Sequence, residues 1–155
     1  MRIALILFSI AMFIYCARIV IITPPDGAIV PKPVRSGLDA MTGRRFNSIC
    51  RELLSHHGYS EVTTASPVGP TGAYITAFQD GERWMFRCWL PGDVINAEFV
   101  QDSVRTSDHY KCSRCGIIST GKFNRKAKWV AECGCVKLIG REELLDMLDE
   151  AGIAV

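Results

Sequence analysis

A chain of 155 residues, 48% hydrophobic and with a formal net charge of +2, holds one domain and a short appendage rather than two full domains. That charge is too small to announce a general nucleic-acid binder, although a local basic face is compatible with one. Seven cysteines, an odd number at low density, exclude a small disulfide-stapled scaffold.

Apolar residues are concentrated at the start. Residues 3–17 are apolar apart from Ser9 and Tyr15, Arg18 interrupts, and Ile19, Val20, Ile21 and Ile22 resume the run. About 20 apolar residues span the hydrocarbon of a bilayer, and Arg18 sits near one end, where its stem reaches the headgroups. Residues 1–23 are therefore expected to be a transmembrane anchor. A cleaved signal peptide and a buried core helix are the competing readings. The weak basic start at Arg2 and the bulky Tyr15 before Cys16 argue against cleavage. Lys32, Arg35, Arg44 and Arg45 follow the segment, so the positive-inside rule places the C-terminal part in the cytoplasm, on a single-pass protein of the inner membrane. Residues 24–40, rich in Pro and Gly, read as a semi-extended linker. Residues 41–155 remain, enough for a proper core.

Within that domain, Phe46, Ile49, Cys50, Leu53 and Leu54 recur at helical spacing and predict a helix over 43–57, ended by Gly58. Residues 59–65 read as a strand and 66–72, with two Pro and two Gly, as a loop. Strands follow at 73–78 and 83–90, joined by Asp80-Gly81, a tight-hairpin dipeptide. Pro91-Gly92 closes the second. A helix is expected over 94–110, with Val94, Ala97, Val100 and Val104 on one face, then a strand at 116–119. A helix over 122–133 carries Phe123, Ala127 and Val130, a strand follows at 136–139, and a last helix over 141–151 buries Leu144, Leu145 and Leu148. The order α-β-β-β-α-β-α-β-α joins a hairpin half to a βαβ half. It predicts an α/β fold, a mixed sheet with helices on both faces.

This order, with several local phrases, resembles the Mrr-type restriction endonuclease domain. The phrases are Phe46 to Leu54 with Gly58-Tyr59; Gly72-Ala73-Tyr74-Ile75; Asp80-Gly81-Glu82-Arg83-Trp84-Met85-Phe86-Arg87-Cys88-Trp89; Gly116-Ile117-Ile118-Ser119-Thr120-Gly121-Lys122-Phe123; and Val136-Lys137-Leu138-Ile139-Gly140 before Glu142-Glu143-Leu144-Leu145. The resemblance implies a restriction-endonuclease-like fold and metal-assisted phosphodiester hydrolysis. In that chemistry a Glu of the first helix, an Asp after a Gly-x turn and a Gln-x-Lys strand pair converge, carboxylates hold Mg²⁺, and metal and Lys activate a water. The matching positions here are Asn47, Tyr74, Arg87 and Trp89, none of which keeps the family's residue. A phenol is a poor Mg²⁺ ligand, a guanidinium repels a cation, and an indole has no charge. Loss of the family's mechanism is the expectation. Trp89 either fills the void left by the metal site or stacks on a base. Relocated acids are the alternative, with Asp80, Glu82, Asp93 and Glu98 nearby in sequence. His56 and His57 are read as cations suited to a helix C-terminus.

Cys112-Ser113-Arg114-Cys115 and Cys133-Gly134-Cys135 each precede a strand. If those strands are parallel neighbours, four thiolates meet at one sheet edge and hold a tetrahedral zinc. The competing readings are small buried hydrophobes in a reducing compartment and disulfides. Cys50 and Cys88 read as core, and Cys16 falls in the membrane segment. Lys122, Arg125, Lys126 and Lys128, with Arg83, Arg87, Arg105, Lys111 and Arg114 elsewhere, are either a DNA-phosphate contact set or a solvated helix face.

The expectation is thus a membrane-anchored Mrr-like protein with emptied catalytic positions and a remaining DNA-binding or interaction role. An active Mg²⁺-dependent endonuclease of the type IV restriction kind, with relocated acids, is one alternative. A zinc-stapled protein-interaction module is the other. No small-molecule cofactor is evident, and the oligomeric state stays open.

Overall fold

The structure, a computed structural model, describes residues 37–66, 69 and 73–155. The expected membrane segment (1–23) and the linker residues before Gly37 lie outside these. Among the described residues no helix is long and apolar enough to cross a membrane.

In chain order the domain forms helix α1 (Gly43–His56), strands β1 (Ser60–Thr64), β2 (Tyr74–Gln79) and β3 (Glu82–Trp89), helix α2 (Ala97–His109), strand β4 (Arg114–Ser119), helix α3 (Arg125–Cys133), strand β5 (Lys137–Ile139) and helix α4 (Arg141–Glu150). This is the expected order. The sheet runs β1-β2-β3-β4-β5. Its first two pairings are antiparallel and its last two parallel, each parallel pair being joined through a helix. Asp80 and Gly81, both at positive φ (53° and 77°), make the β2–β3 hairpin.

Boundaries move where asparagines cap. Asn96 accepts from the Phe99 amide and Asn124 from the Ala127 amide, so α2 and α3 each start three residues later than their apolar pattern suggests. Val94, expected on the buried face of α2, precedes the helix and is 67% exposed. Its neighbour Ile95 turns inward and bridges to Phe123. All four helices among the described residues end in one device. The residue after each cap is left-handed (Gly58, Lys111, Cys135, Gly152), and the amide beyond it reaches back to the last helical turn, as Tyr59 N does to Leu54 O at 3.1 Å.

Two cores flank the sheet, and β3 serves both by period-2 alternation. Phe86 and Cys88 join Phe46, Leu53, Leu54 and Leu148 on the α1/α4 side. Met85, with Trp89 at its margin, joins Val100, Ile117 and Ala127 on the α2/α3 side. Residues assigned to the linker belong partly to the domain. Leu38 is 1% exposed in the first core. Asp39 accepts two hydrogen bonds from the Arg141 guanidinium, at 2.6 and 2.8 Å.

Candidate functional site

Tyr74 opens β2, and Arg87 and Trp89 close β3. Antiparallel register sets Tyr74 directly opposite Arg87. Three of the four positions singled out from the sequence therefore meet at the C-terminal edge of the parallel strands, on the α2 side of the sheet. Ligand sites of open α/β sheets commonly form at such an edge.

What meets there is a guanidinium in an aromatic cage. The Arg87 Cζ lies 3.8 Å from the Phe99 ring centroid, 5.5 Å from that of Tyr74 and 5.8 Å from that of Trp89. Trp89 packs edge-on against Phe99 at 5.0 Å, and Tyr74 leans on Tyr110 at 5.9 Å. Arg87 Nη1 donates to Asp102 Oδ2 at 2.7 Å and to Ser103 Oγ at 3.3 Å, and Ser103 Oγ itself donates to the Phe99 carbonyl at 2.7 Å. The Arg87 side chain is only 16% exposed, so its charge is matched by the one carboxylate that reaches it and by ring faces.

Asn47, the fourth position, is not part of this cluster. It is 4% exposed on the α1 side of the sheet, its Nδ2 donating to Thr64 Oγ1 at 3.1 Å and its Oδ1 without a protein partner. Among the acids weighed as replacements, Glu82 is bound to Arg114 at 2.6 Å, while Asp80, Asp93 and Glu98 are exposed. The carboxylate that reaches Arg87 is Asp102, one turn beyond Glu98 on α2. The spacing Phe99-x-x-Asp102-Ser103 on one helical face was the available signal.

The cysteines divide. Cys112 and Cys115 are buried on the α2/α3 side, whereas Cys133 and Cys135 are exposed. Cys135 takes the left-handed position at the end of α3, and Cys133 sits on the helix's outer face. Among the described residues no three His, Cys, Asp or Glu side chains come together to hold a metal. Cys112 and Cys115 pack inward under α2, while Cys133 and Cys135 turn out. Burial pushes the Cys115 thiol up to about 11, against a hydrogen bond with Ser107. Burial also raises Cys112 and, well above the ordinary thiol range, Cys50, whose thiol meets that of Cys88 in the core.

The basic set also divides. Lys122 and Lys128 flank a groove of about 530 Å³ between α3 and α4, floored by Phe123 and Leu138, with Glu142 and Glu143 on its other wall. Arg125 and Lys126 are exposed on the opposite flank of α3. The rim beside them is stiff. Ile95 N donates to Lys122 O at 2.8 Å and Asn124 N to Ile95 O at 3.0 Å. Gly121 lies so close to the Asp93 carbonyl that a Cβ would come within 2.1 Å of it.

The restriction endonuclease family model of the Mrr catalytic type matches residues 38–148. The chain belongs to this restriction endonuclease family. Its fold is similar to that of the DNA modification-dependent restriction endonuclease AspBHI, with 13% identity and a TM-score of 0.51 over 76% of this chain and 35% of that one. The chain thus spans about a third of AspBHI's length. The protein of unknown function AF1548 aligns at 20% identity and a TM-score of 0.48, over 69% of this chain and 77% of that one. No curated protein sequence matches.

Family membership implies a divalent metal held by carboxylates. The donor set does not fit one. The four positions offer an amide, a phenol, a guanidinium and an indole. Asp102 is already bound to Arg87, and the free Asn47 oxygen lies on the other side of the sheet. No step through a metal is derived from them.

Proposed function

We propose that this chain is a membrane-tethered member of the restriction endonuclease family that no longer hydrolyses phosphodiesters and that retains binding to DNA. One observation carries the first part: the Arg87–Asp102 pair, closed in by Tyr74, Trp89 and Phe99, occupies the edge where the family's acid and lysine would stand. A cation already fills the place of the metal, and its counter-charge comes from the protein. Trp89 acts as packing, since its ring is held against Phe99. DNA binding is supported by the family's fold and by Lys122, Arg125, Lys126 and Lys128, all exposed around the start of α3. Tethering is supported by the apolar run before residue 23. The test is the full chain with supercoiled plasmid and Mg²⁺ or Mn²⁺. The expected result is binding that weakens steeply with salt and no nicking. Cleavage abolished by Asp102→Asn or Glu98→Ala would establish relocated catalysis instead.

A further inference from the structure

Two large apolar side chains are markedly exposed among the described residues, Val94 at 67% and Trp129 at 66%. Trp129 sits on α3, whose buried face is set by Ala127 and Ala131. On a 3.6-residue helix, Arg125 and Lys126 lie one turn before Trp129 on the same outward face. None of Lys122, Arg125, Lys126 and Lys128 joins an ion pair among the described residues, where the pairs are Arg87–Asp102, Arg114–Glu82 and Arg141–Asp39. The helix thus presents an indole and unneutralised cations together, and packing explains neither.

Phosphates alone would need only the cations. The indole adds a flat apolar face, and what a nucleic acid offers to such a face is a base free of its partner. In a duplex both faces of each base are already stacked. An anionic lipid surface is the rival occupant, but insertion there needs a wide apolar stripe. The outward face of this nine-residue helix carries, besides Trp129, only Arg125, Lys126, Glu132 and Cys133.

We infer that the outer face of α3 docks unpaired nucleotides, Trp129 stacking on a base while Arg125 and Lys126 hold the flanking phosphates. This rests on the DNA-binding reading above and narrows it to single-stranded or locally opened strands. The experiment uses the full chain, a fluorescein-labelled oligothymidylate and a duplex of equal length, read by anisotropy at two salt concentrations. Trp129→Ala is expected to weaken single-strand binding about tenfold and duplex binding less than about twofold, because phosphate contacts are untouched. Trp129→Phe keeps a ring and restores most of the single-strand affinity. Lys126→Ala weakens both ligands alike and lowers the salt slope by about one. Equal effects of Trp129→Ala on both ligands, or none on either, would overturn the stacking role and leave DNA binding standing. Trp129-dependent binding to phosphatidylserine vesicles, with none to oligothymidylate, would assign the face to lipid. Failure of the unmodified chain to bind either DNA would remove the underlying reading as well.

Discussion

Asp102→Ala tests whether the Arg87 cage depends on its counter-charge. Arg87 is 16% exposed and Asp102 55%, so one partner is nearly dry and the other half wet. Breaking a fully buried pair costs about 3–5 kcal/mol, whereas fully exposed pairs contribute roughly 0–1 kcal/mol. With half of the Asp102 surface screened by water, the loss should be about 1.5 kcal/mol, most of it the cost of a guanidinium left without an anion. In urea, at a slope of about 1.5 kcal/mol per molar for a domain of this size, the midpoint falls by about 1 M. Arg87→Met/Asp102→Ala should recover roughly 1 kcal/mol of that loss, since no charge is then stranded and Met fills the cage between Phe99, Tyr74 and Trp89. Glu82→Ala is the control. It breaks a pair whose partners are each 41% exposed and should cost less than about 0.5 kcal/mol. A midpoint shift for Asp102→Ala no larger than the control's, or additive losses in the double variant, would refute the claim that Asp102 neutralises a buried cation.

Two further outcomes are expected. Arg141 holds the Asp39 carboxyl below its ordinary range through two short hydrogen bonds. A depressed folded value gives stability that is present above the unfolded pKa, near 3.9, and is lost as pH falls through the folded one. Asp39→Asn should therefore be less stable than the unmodified chain at about pH 6, and the gap should close as pH falls through and below the depressed Asp39 value, a trend that urea midpoints would read; a gap constant with pH would refute the pairing. In brief iodoacetamide treatment followed by peptide mass spectrometry, the exposed Cys133 and Cys135 should be labelled roughly tenfold faster than the buried Cys50, Cys88, Cys112 and Cys115. Rates for Cys112 and Cys115 equal to those of Cys133 and Cys135 would show that the α2/α3 core opens readily, and the same for Cys50 and Cys88 would show it of the α1/α4 core.

Much of the fold was legible because its signals are local. Helical spacing in Phe46-x-x-Ile49-Cys50-x-x-Leu53-Leu54, the Asp80-Gly81 turn and the two short apolar strands gave every element and its order. Starts of helices were harder, because an asparagine three residues into an apolar pattern reads equally well as interior until its side chain is seen to cap. The site was legible in part. Period 2 put Arg87 and Trp89 on one face, and the hairpin put Tyr74 beside them. The Asp102 partner needed the tilt of α2 over the sheet, a tertiary fact that spacing along the chain does not carry. The cysteine pattern left several readings open for a related reason. Adjacent parallel strands do bring their leading segments to one edge, but the left-handed residue at Cys135 turns its pair outward while Cys112 and Cys115 face in.

The alternation along β3 also separates the core of the fold from the edge that carries Arg87 and Trp89. Phe86 and Cys88 point to the α1/α4 core, the larger of the two, and are fixed by packing against Phe46, Leu53, Ile118 and Leu148. Arg87 and Trp89 point the other way, to the margin of the second core, where half-buried side chains have freedom to change. Replacing the residues at the Arg87 and Trp89 positions therefore leaves the first core untouched. A charge at that margin needs a partner, and for Arg87 the Asp102 carboxylate and three aromatic faces supply it. The residues that fix the first core and those at this edge lie on opposite faces of one strand, one residue apart, so either set can change without the other.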